Sequence, residues 1–160
     1  MNSGLLCDPA WLADRLDDPS VHVVDVREPW EYDSIGHLPG AISIPFESYR
    51  DSESTDPGTL PGAEAFATLL SEAGISSDDT IVAYDDTHGV FAARFVLTAL
   101  VYGHRNVGLL DGDFSAWRRA YEVTSETPAR DPTSYESHGI AADAPIVDRE
   151  AVETAIEGGE

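Results

Sequence analysis

The alternation of short apolar runs with helical patterns constrains this chain more than any other feature. Runs typical of buried strands occupy residues 21–26, 41–44, 80–84 and 107–110. Helical patterns precede, separate or follow these runs, at residues 8–16, 61–73, 91–102 and 114–119. Strands that alternate with helices form a mostly parallel sheet whose two faces are both covered. The pattern therefore predicts an α/β fold, with a polar loop over residues 48–60.

The charge of the chain is unusual for a globular protein. Thirty acidic residues face nine basic ones, all of them arginine, and the formal net charge is −21. Nucleic acids and anionic membranes bind clustered Lys and Arg, so this charge argues against both as partners. The acids are spread along the chain and form no tail that would bind a basic partner. The composition resembles that of haloarchaeal cytoplasmic proteins, whose acidic surfaces are adapted to high salt.

The sequence lacks the patterns of membrane spans, secretion leaders, disulfide frameworks and metal sites. No apolar run approaches the roughly 18 residues of a membrane span, and no basic-then-apolar leader opens the chain, so we expect a cytoplasmic protein. The single cysteine, Cys7, excludes an internal disulfide framework and a Cys-based metal site. The five histidines show no HxH or HExxH spacing. We therefore expect neither a metal nor a cofactor.

The polar loop between the clearest strand and the most apolar helix is the strongest candidate for a functional site. Its residues are Asp85, Asp86, Thr87, His88, Gly89 and Val90. Parallel sheets bind ligands beyond the carboxyl ends of their strands, where this loop is expected. A loop that leads into a helix N-terminus points several backbone N–H groups at one spot, and the helix dipole adds positive potential. Such a loop stabilises an anion.

Three groups of residues resemble the signatures of the rhodanese family. The first is the segment 25–32 (DVREPWEY) with the following GHLPGA, the second is the strand, loop and helix over residues 81–104, and the third lies within residues 106–117. They occur in order, with family spacing, across roughly residues 8–123. The resemblance implies a three-layer α/β/α fold with a mostly parallel central sheet of about five strands.

The resemblance also implies what the loop does in active members. A cysteine at its start takes a sulfane sulfur from thiosulfate or mercaptopyruvate, becomes a persulfide and passes the sulfur to cyanide or another thiol. Here Asp85 occupies the cysteine position, and Asp86 replaces the basic residue expected beside it. A carboxylate cannot form a persulfide, and Asp86 would repel anionic substrates. We therefore expect no catalytic residue in this chain.

An aspartate at the cysteine position is itself a feature of some members of the family, which this chain resembles. In tandem thiosulfate or mercaptopyruvate sulfurtransferases, the first domain typically carries aspartate at this place and the second carries the cysteine. The resemblance implies that such a first domain supports the active site of the second. Phe91 matches a position that lends an apolar wall, and Trp30 is a weaker candidate.

Four further residues are expected to be structural rather than reactive. The resemblance implies that Asp25 and Arg27, at the end of a strand, hold loops by hydrogen bonds and ion pairs. Arg94, on the helix after the loop, is expected to pair with Asp85 or Asp25. His37 is expected to hold a turn in place.

A faint repeat bears on the domain organisation. The pattern Leu-Cys-Asp at residues 6–8, with apolar residues 12 and 16, recurs 140 residues later at Ile146. Chance would explain it, because short helices capped by Asp are common; alternatively, a second copy of the domain begins there. On the second interpretation, the chain divides into a rhodanese-like domain, a linker and the truncated start of a second rhodanese-like repeat, at residues 1–125, 126–145 and 146–160.

These observations together predict a function for the whole protein. We expect a thiosulfate/3-mercaptopyruvate sulfurtransferase, with this chain as its inactive N-terminal domain. Its expected partner is the C-terminal rhodanese domain of the same protein, and a sulfur donor and a thiol or cyanide acceptor would bind only through that domain. One alternative is a stand-alone, non-catalytic rhodanese-homology binding or regulatory module. Another is an aspartyl phosphotransfer enzyme, although Asp85 and Asp86 lack the residue that usually separates such aspartates.

Overall fold

A five-stranded sheet forms the centre of the molecule, as seen in a computed structural model that describes residues 5–49 and 61–136. Its strands are β1 (Leu6–Cys7), β2 (Val21–Asp25), β3 (Ile42–Ser43), β4 (Thr80–Tyr84) and β5 (Val107–Leu110). They lie in the order β1-β5-β4-β2-β3, and all four pairings are parallel. The predicted α/β class and strand number are confirmed. Only β1 was not expected, since it has two residues and forms by pairing with β5.

Four helices cover the sheet: α1 (Pro9–Ala13), α2 (Ala63–Glu72), α3 (Val90–Val101) and α4 (Phe114–Ala120). A π-helical turn at Glu31–Ile35 and a 3-10 turn at Phe46–Tyr49 complete the regular structure in the described ranges. The start of α1 is explained by its sequence, because the carboxylate of Asp8 accepts the N–H of Ala10 and Pro9 needs no hydrogen bond there. The helix ends earlier than the predicted residue 16.

The two faces of the sheet carry separate cores, which gives the three layers. On one face, α2 and α3 contribute a cluster that includes Phe66, Leu70, Ala92 and Phe95. On the other face, α1 and α4 contribute a second cluster that includes Leu12, Phe114 and Trp117. Within β4, Ile81 and Ala83 belong to the first cluster and Val82 and Tyr84 to the second, as the alternation of side chains along a strand requires.

Parts of the predicted organisation fall at or beyond the edges of the described ranges. The loop expected at 48–60 begins inside the 3-10 turn, and residues 50–60 lie outside the description. The segment expected to be a linker has no helix or strand over residues 126–136, although it contacts the domain closely. The proposed repeat at 146–160 lies outside the described residues. Within the described ranges, no helix combines the length and apolar character needed to cross a membrane.

The strand order places the carboxyl ends of β2 and β4 side by side, at the edge of the sheet where the site was expected. The chain leaves β2 toward β3 on one side, and it leaves β4 toward β5 on the other. Asp25 at the end of β2 is in register with Tyr84 at the end of β4. In open parallel sheets, the crevice at such a switch point is the usual binding position. The loop after Tyr84 therefore lies at this crevice.

Candidate functional site

The carboxylate of Asp85 is the centre of the loop and is almost fully buried, with 2% of the residue exposed. Its Oδ1 atom accepts the N–H groups of Thr87 at 3.0 Å and Gly89 at 2.8 Å. Its Oδ2 atom accepts those of Phe91 and Ala92, both at 2.9 Å. Hydrogen bonds to an ionised acceptor are stronger than neutral ones. The loop is thus an anion cradle, as expected, and the anion it holds is its own side chain.

The backbone of the loop explains how four N–H groups converge. His88 and Gly89 both have left-handed conformations, with φ of 61° and 83°. Two such residues in succession turn the chain sharply before α3 begins at Val90. A side chain at position 89 would be strained by that φ and would meet the Leu109 side chain at 3.3 Å. The last two donors come from the first turn of α3, so Asp85 also caps that helix.

Helix α4 holds the outer part of the loop. The carboxylate of Asp86 accepts the N–H of Ser115 at 3.0 Å and its hydroxyl at 2.9 Å. The carboxylate of Asp113, the residue before α4, accepts the N–H of His88 at 3.0 Å. The His88 ring is 97% exposed, with Nδ1 3.7 Å from the same carboxylate. Asp86 and His88 therefore tie the loop to α4.

Asp25 and Arg27 form a buried ion pair beside the loop. The Arg27 Nη2 and Nε atoms donate to the Asp25 carboxylate at 2.6 to 3.1 Å, and Nη2 also donates to the Gly36 carbonyl. Burial disfavours the Arg27 charge, but the bonds to Asp25 outweigh it and raise the pKa of the guanidinium above its usual value. The Tyr84 hydroxyl donates to Asp25 as well. The expected supporting role of this pair agrees with these contacts.

Aromatic side chains line the same crevice as Arg27. The Phe91 ring is 39% exposed and packs edge-on against Phe46, with ring centroids 5.0 Å apart. The Tyr49 hydroxyl donates to the Phe91 carbonyl at 2.9 Å. Trp30 is 60% exposed. Phe91 therefore presents an apolar surface at the crevice.

Arg94 does not take the expected partner. In the described part of the chain, it forms an ion pair with neither Asp85 nor Asp25. The Asp85 oxygens are occupied by backbone N–H groups, and the Asp25 oxygens by Arg27 and Tyr84. Its charge acts instead on Tyr49, whose pKa is raised by burial and by Asp85, while Arg94 opposes that rise.

A cavity of about 500 Å3 opens between the loop and the segment after β2. Its acidic lining residues are Glu28, Glu31, Glu47, Asp85 and Asp86, and its apolar lining includes Phe46 and Phe91. Among the described residues that line it, Arg27 is the one basic residue, and Asp25 neutralises that charge. The excess of carboxylates disfavours an anionic ligand in this cavity.

The fold is that of a known family. A family model described as a rhodanese-like domain matches residues 8–120. The chain belongs to the rhodanese family. It is 36% identical over 123 residues to a putative thiosulfate sulfurtransferase of Synechococcus elongatus, covering 75% of this chain and 38% of that protein. It is 31% identical over 118 residues to a 3-mercaptopyruvate sulfurtransferase of Escherichia coli, covering 68% and 42%.

A solved structure agrees with the sequence comparisons. A crystal structure of a 3-mercaptopyruvate sulfotransferase from Escherichia coli matches this rhodanese domain with a TM-score of 0.81 and 26% identity, over 98% of this chain and 63% of that chain. The expected rhodanese fold and the sulfurtransferase family are confirmed. The chain spans about two fifths of the length of its first curated relatives.

Several residues of this rhodanese domain take the positions that the sequence suggested, and others were missed. His37 is fully buried and holds a turn, as expected, with its ring nitrogens facing the carbonyls of Tyr32 and Glu126. Cys7 is buried in β1, and burial raises the pKa of its thiol to about 11, which is unsuited to nucleophilic chemistry. The roles of Asp113 and Ser115 were missed, because neither has a sequence signal beyond its place before or within a short helix.

Proposed function

We propose that this chain is the cysteine-lacking N-terminal domain of a tandem thiosulfate/3-mercaptopyruvate sulfurtransferase. Its role is to support an active site whose cysteine belongs to a second rhodanese domain. The observation that carries the proposal is the Asp85 carboxylate, which accepts four N–H groups, two from the loop and two from the first turn of α3. In a sulfur-transferring loop, such groups stabilise the cysteine thiolate and the incoming sulfur. Here a permanent carboxylate fills the cradle, so the loop is stable without a substrate.

The cavity supports a role as a wall rather than as a reaction centre. Phe91 presents an exposed ring at the crevice, and the surrounding carboxylates disfavour thiosulfate or mercaptopyruvate as direct ligands. An apolar wall excludes water from a persulfide held on a facing domain, which protects it from side reactions. The described residues therefore suit a supporting domain.

The proposed reaction proceeds on the second domain. Its cysteine thiolate would attack the sulfane sulfur of thiosulfate, forming a new S–S bond while the donor S–S bond breaks and sulfite leaves with the electron pair. Cyanide or an acceptor thiolate would then attack the outer persulfide sulfur and release the cysteine thiolate. The contribution of this chain would be the apolar surface around Phe91 and the rigid loop behind it.

An aspartyl phosphotransfer role is not supported by the same geometry. A nucleophilic carboxylate must reach its substrate, whereas Asp85 is 2% exposed and both of its oxygens accept two N–H groups each. The similar proteins are a putative thiosulfate sulfurtransferase of Synechococcus elongatus and a 3-mercaptopyruvate sulfurtransferase of Escherichia coli. The buried carboxylate therefore argues against phosphotransfer from this loop.

The first experiment reads the coding sequence beyond residue 160. The proposal expects a second rhodanese repeat, with a cysteine at the place equivalent to Asp85. A stop codon directly after residue 160 would instead favour the stand-alone binding or regulatory module.

The second experiment measures thiosulfate:cyanide sulfur transfer by the isolated chain and by the full-length protein. We expect turnover from the full-length protein only, and we expect it to vanish when the cysteine of the second repeat is replaced by serine. Cys7→Ser serves as the matched control and should leave turnover unchanged. Turnover by the isolated chain that Asp85→Ala abolishes would contradict the proposal.

The acidic composition supports a further part of the proposal, namely that the protein works in the cytoplasm of a halophile. A net charge of −21 destabilises a compact chain through self-repulsion unless salt screens it. We expect the circular dichroism signal of the fold to be lost on dialysis from molar to millimolar KCl. An unchanged cooperative thermal transition across that range would contradict this part.

A further inference from the structure

The segment after α4 crosses the amino-terminal end of the sheet and is held there by buried histidines. We name residues 124–136 the C-terminal strap. Its first part pairs with His37, since the backbone N–H and carbonyl groups of His37 and Thr124 exchange hydrogen bonds at 2.8 and 2.9 Å. Its last part bonds to Ser71 on α2, through the N–H groups of Thr133 and Tyr135.

Between these two attachments, Arg130 binds a histidine that lies inside the domain. The His22 residue is 3% exposed, and its Nδ1 atom lies 2.8 Å from Nη1 of Arg130. On the other side of the ring, Nε2 lies 2.7 Å from the Asp79 carboxylate. A guanidinium only donates hydrogen bonds, so Nδ1 must be the acceptor and Nε2 must carry the proton. The Arg130 contact therefore requires a neutral His22.

We propose that residues 130–136 of the strap form an acid-released latch, which opens when His22 takes up a proton at Nδ1. Protonation would place an N–H donor and a positive charge against the Arg130 guanidinium at hydrogen-bond distance. Arg130 would then lose this bond and, as it moves away, its bond to the Gly40 carbonyl. Asp79 would keep its bond to Nε2 in both states.

The charged groups around His22 agree with this direction. Burial lowers the pKa of His22, Asp79 opposes that effect, Arg130 adds to it, and Asp18 opposes it weakly. His104 lies near the same network, with its Nε2 facing the Asp79 carbonyl and its Nδ1 bonded to the Tyr135 hydroxyl. Burial lowers the pKa of His104 as well. Both histidines are thus kept neutral by the closed latch.

These shifts set the sign of the pH effect. A released strap exposes His22 to water, where its pKa returns toward the ordinary imidazole value of about 6.5. The closed latch is therefore favoured above that pH and loses stability as the pH falls below it, by up to about tenfold in equilibrium constant per pH unit for one proton.

The first part of the strap responds differently, because its histidine has different partners. Both ring nitrogens of His37 face carbonyl oxygens, Nδ1 that of Tyr32 at 2.9 Å and Nε2 that of Glu126 at 2.7 Å. The near half of the strap, residues 124–129, is also held by two backbone hydrogen bonds between His37 and Thr124, which need no side-chain proton. Release at Arg130 therefore opens residues 130–136 and leaves Thr124 attached.

Amide hydrogen exchange of the 160-residue chain tests the latch, with rates corrected for the intrinsic effect of pH. Between pH 7.5 and 5.5 we expect the protection of the Thr133 and Tyr135 amides to fall by about tenfold, the limit for one proton taken up at an ordinary imidazole pKa. The Thr124 amide, on the anchored half, should keep its protection. Unchanged protection at Thr133 and Tyr135 across this range would overturn the proposal.

Two variants separate the latch from a general loss of stability. In His22→Asn, the amide oxygen replaces the Nδ1 acceptor without titrating, so the protection of Tyr135 should depend less steeply on pH than in the parent, with His104 as the remaining titrating group. In Arg130→Met, the protection should be low at both pH values.

Exposed His88 supplies the matched control, since His88→Asn should respond to pH like the parent. If His22→Asn lost protection with pH as the parent does, His22 would not be the switch. Circular dichroism confirms that each variant is folded, and Arg130→Met tests the same contact from the strap side should His22→Asn fail to fold.

Discussion

The two ends of the sheet stabilise polar groups in opposite ways. At the carboxyl ends of the strands, the carboxylates of Asp85 and Asp25 are held by backbone N–H groups and a guanidinium, which do not titrate near neutral pH. At the amino ends of the strands, His22 and His104 hold the strap through imidazole nitrogens, and imidazoles titrate near neutral pH. The donors at the candidate site therefore keep their protons near neutral pH, whereas the imidazoles at the strap can gain one.

The pH-insensitive donors and the titrating histidines lie close together in the fold. Asp25 and His22 belong to the same strand, three residues or about 10 Å apart. One lies at the crevice beside the Asp85 loop and the other beside the strap. Burial alone therefore does not decide how a polar group behaves. The hydrogen-bond partners also matter: backbone N–H groups and a guanidinium keep their protons near neutral pH, whereas an imidazole can gain one.

The largest effect expected at the carboxyl end comes from Asp25→Asn. It leaves the buried Arg27 guanidinium without its counter-charge, and breaking a buried pair costs about 3–5 kcal/mol. Urea denaturation at pH 7.5 measures the change in the free energy of unfolding. The matched control is Asp33→Asn, an exposed carboxylate, which should change that value by less than about 0.5 kcal/mol. Equal losses of unfolding free energy in the two variants would show that the Asp25–Arg27 ion pair does not stabilise the carboxyl end of the sheet.

The next effect is that of Asp85→Asn in the same denaturation experiment. An amide keeps one acceptor oxygen, but its NH2 group would face two of the four N–H donors. We expect a loss of about 2 kcal/mol, since buried donors left without partners cost about 1–3 kcal/mol. The exposed Asp111 provides the control Asp111→Asn. A loss no greater than that of the control would mean that the carboxylate is not required to hold the loop.

A smaller effect is expected from pH and should act on the strap end. The pKa values of His22 and His104 are lowered by burial, so unfolding releases them to protonate below pH 6.5 and the free energy of unfolding falls with acid. At pH 5.5 the loss should be about 1 kcal/mol per histidine. In His22→Asn the slope of stability against pH should become shallower between pH 7 and 5.5, whereas an identical slope would place the pH sensitivity elsewhere.

The smallest effect is expected from His88→Asn, which removes the exposed loop imidazole. The His88 backbone is left-handed, a conformation that Asn tolerates better than most residues. Its N–H bond to Asp113 is retained, so the free energy of unfolding should change by less than about 0.5 kcal/mol. A larger loss would show that the ring itself holds the loop against α4.

The elements with strong local patterns were predicted best from sequence. The bounds of β4 and β5 match the predicted runs, and α3 begins and ends one residue before its predicted bounds. A continuous apolar run between turn residues leaves few alternatives for such segments. The strand β1 was missed because two residues carry no pattern. The expected pairing of Arg94 with Asp85 or Asp25 was wrong, because nearer donors already occupy both carboxylates.

From its amino-acid order alone, the chain has an aspartate at residue 85, in a loop between a buried strand and an apolar helix. That identity decides that no persulfide forms there, whatever the packing. The bonds between distant parts of the chain were instead decided by the tertiary structure. Asp86 meets Ser115, 29 residues away, and His22 meets Arg130, 108 residues away. Such contacts depend on how helices and strap pack against the sheet, and local propensity does not encode that packing.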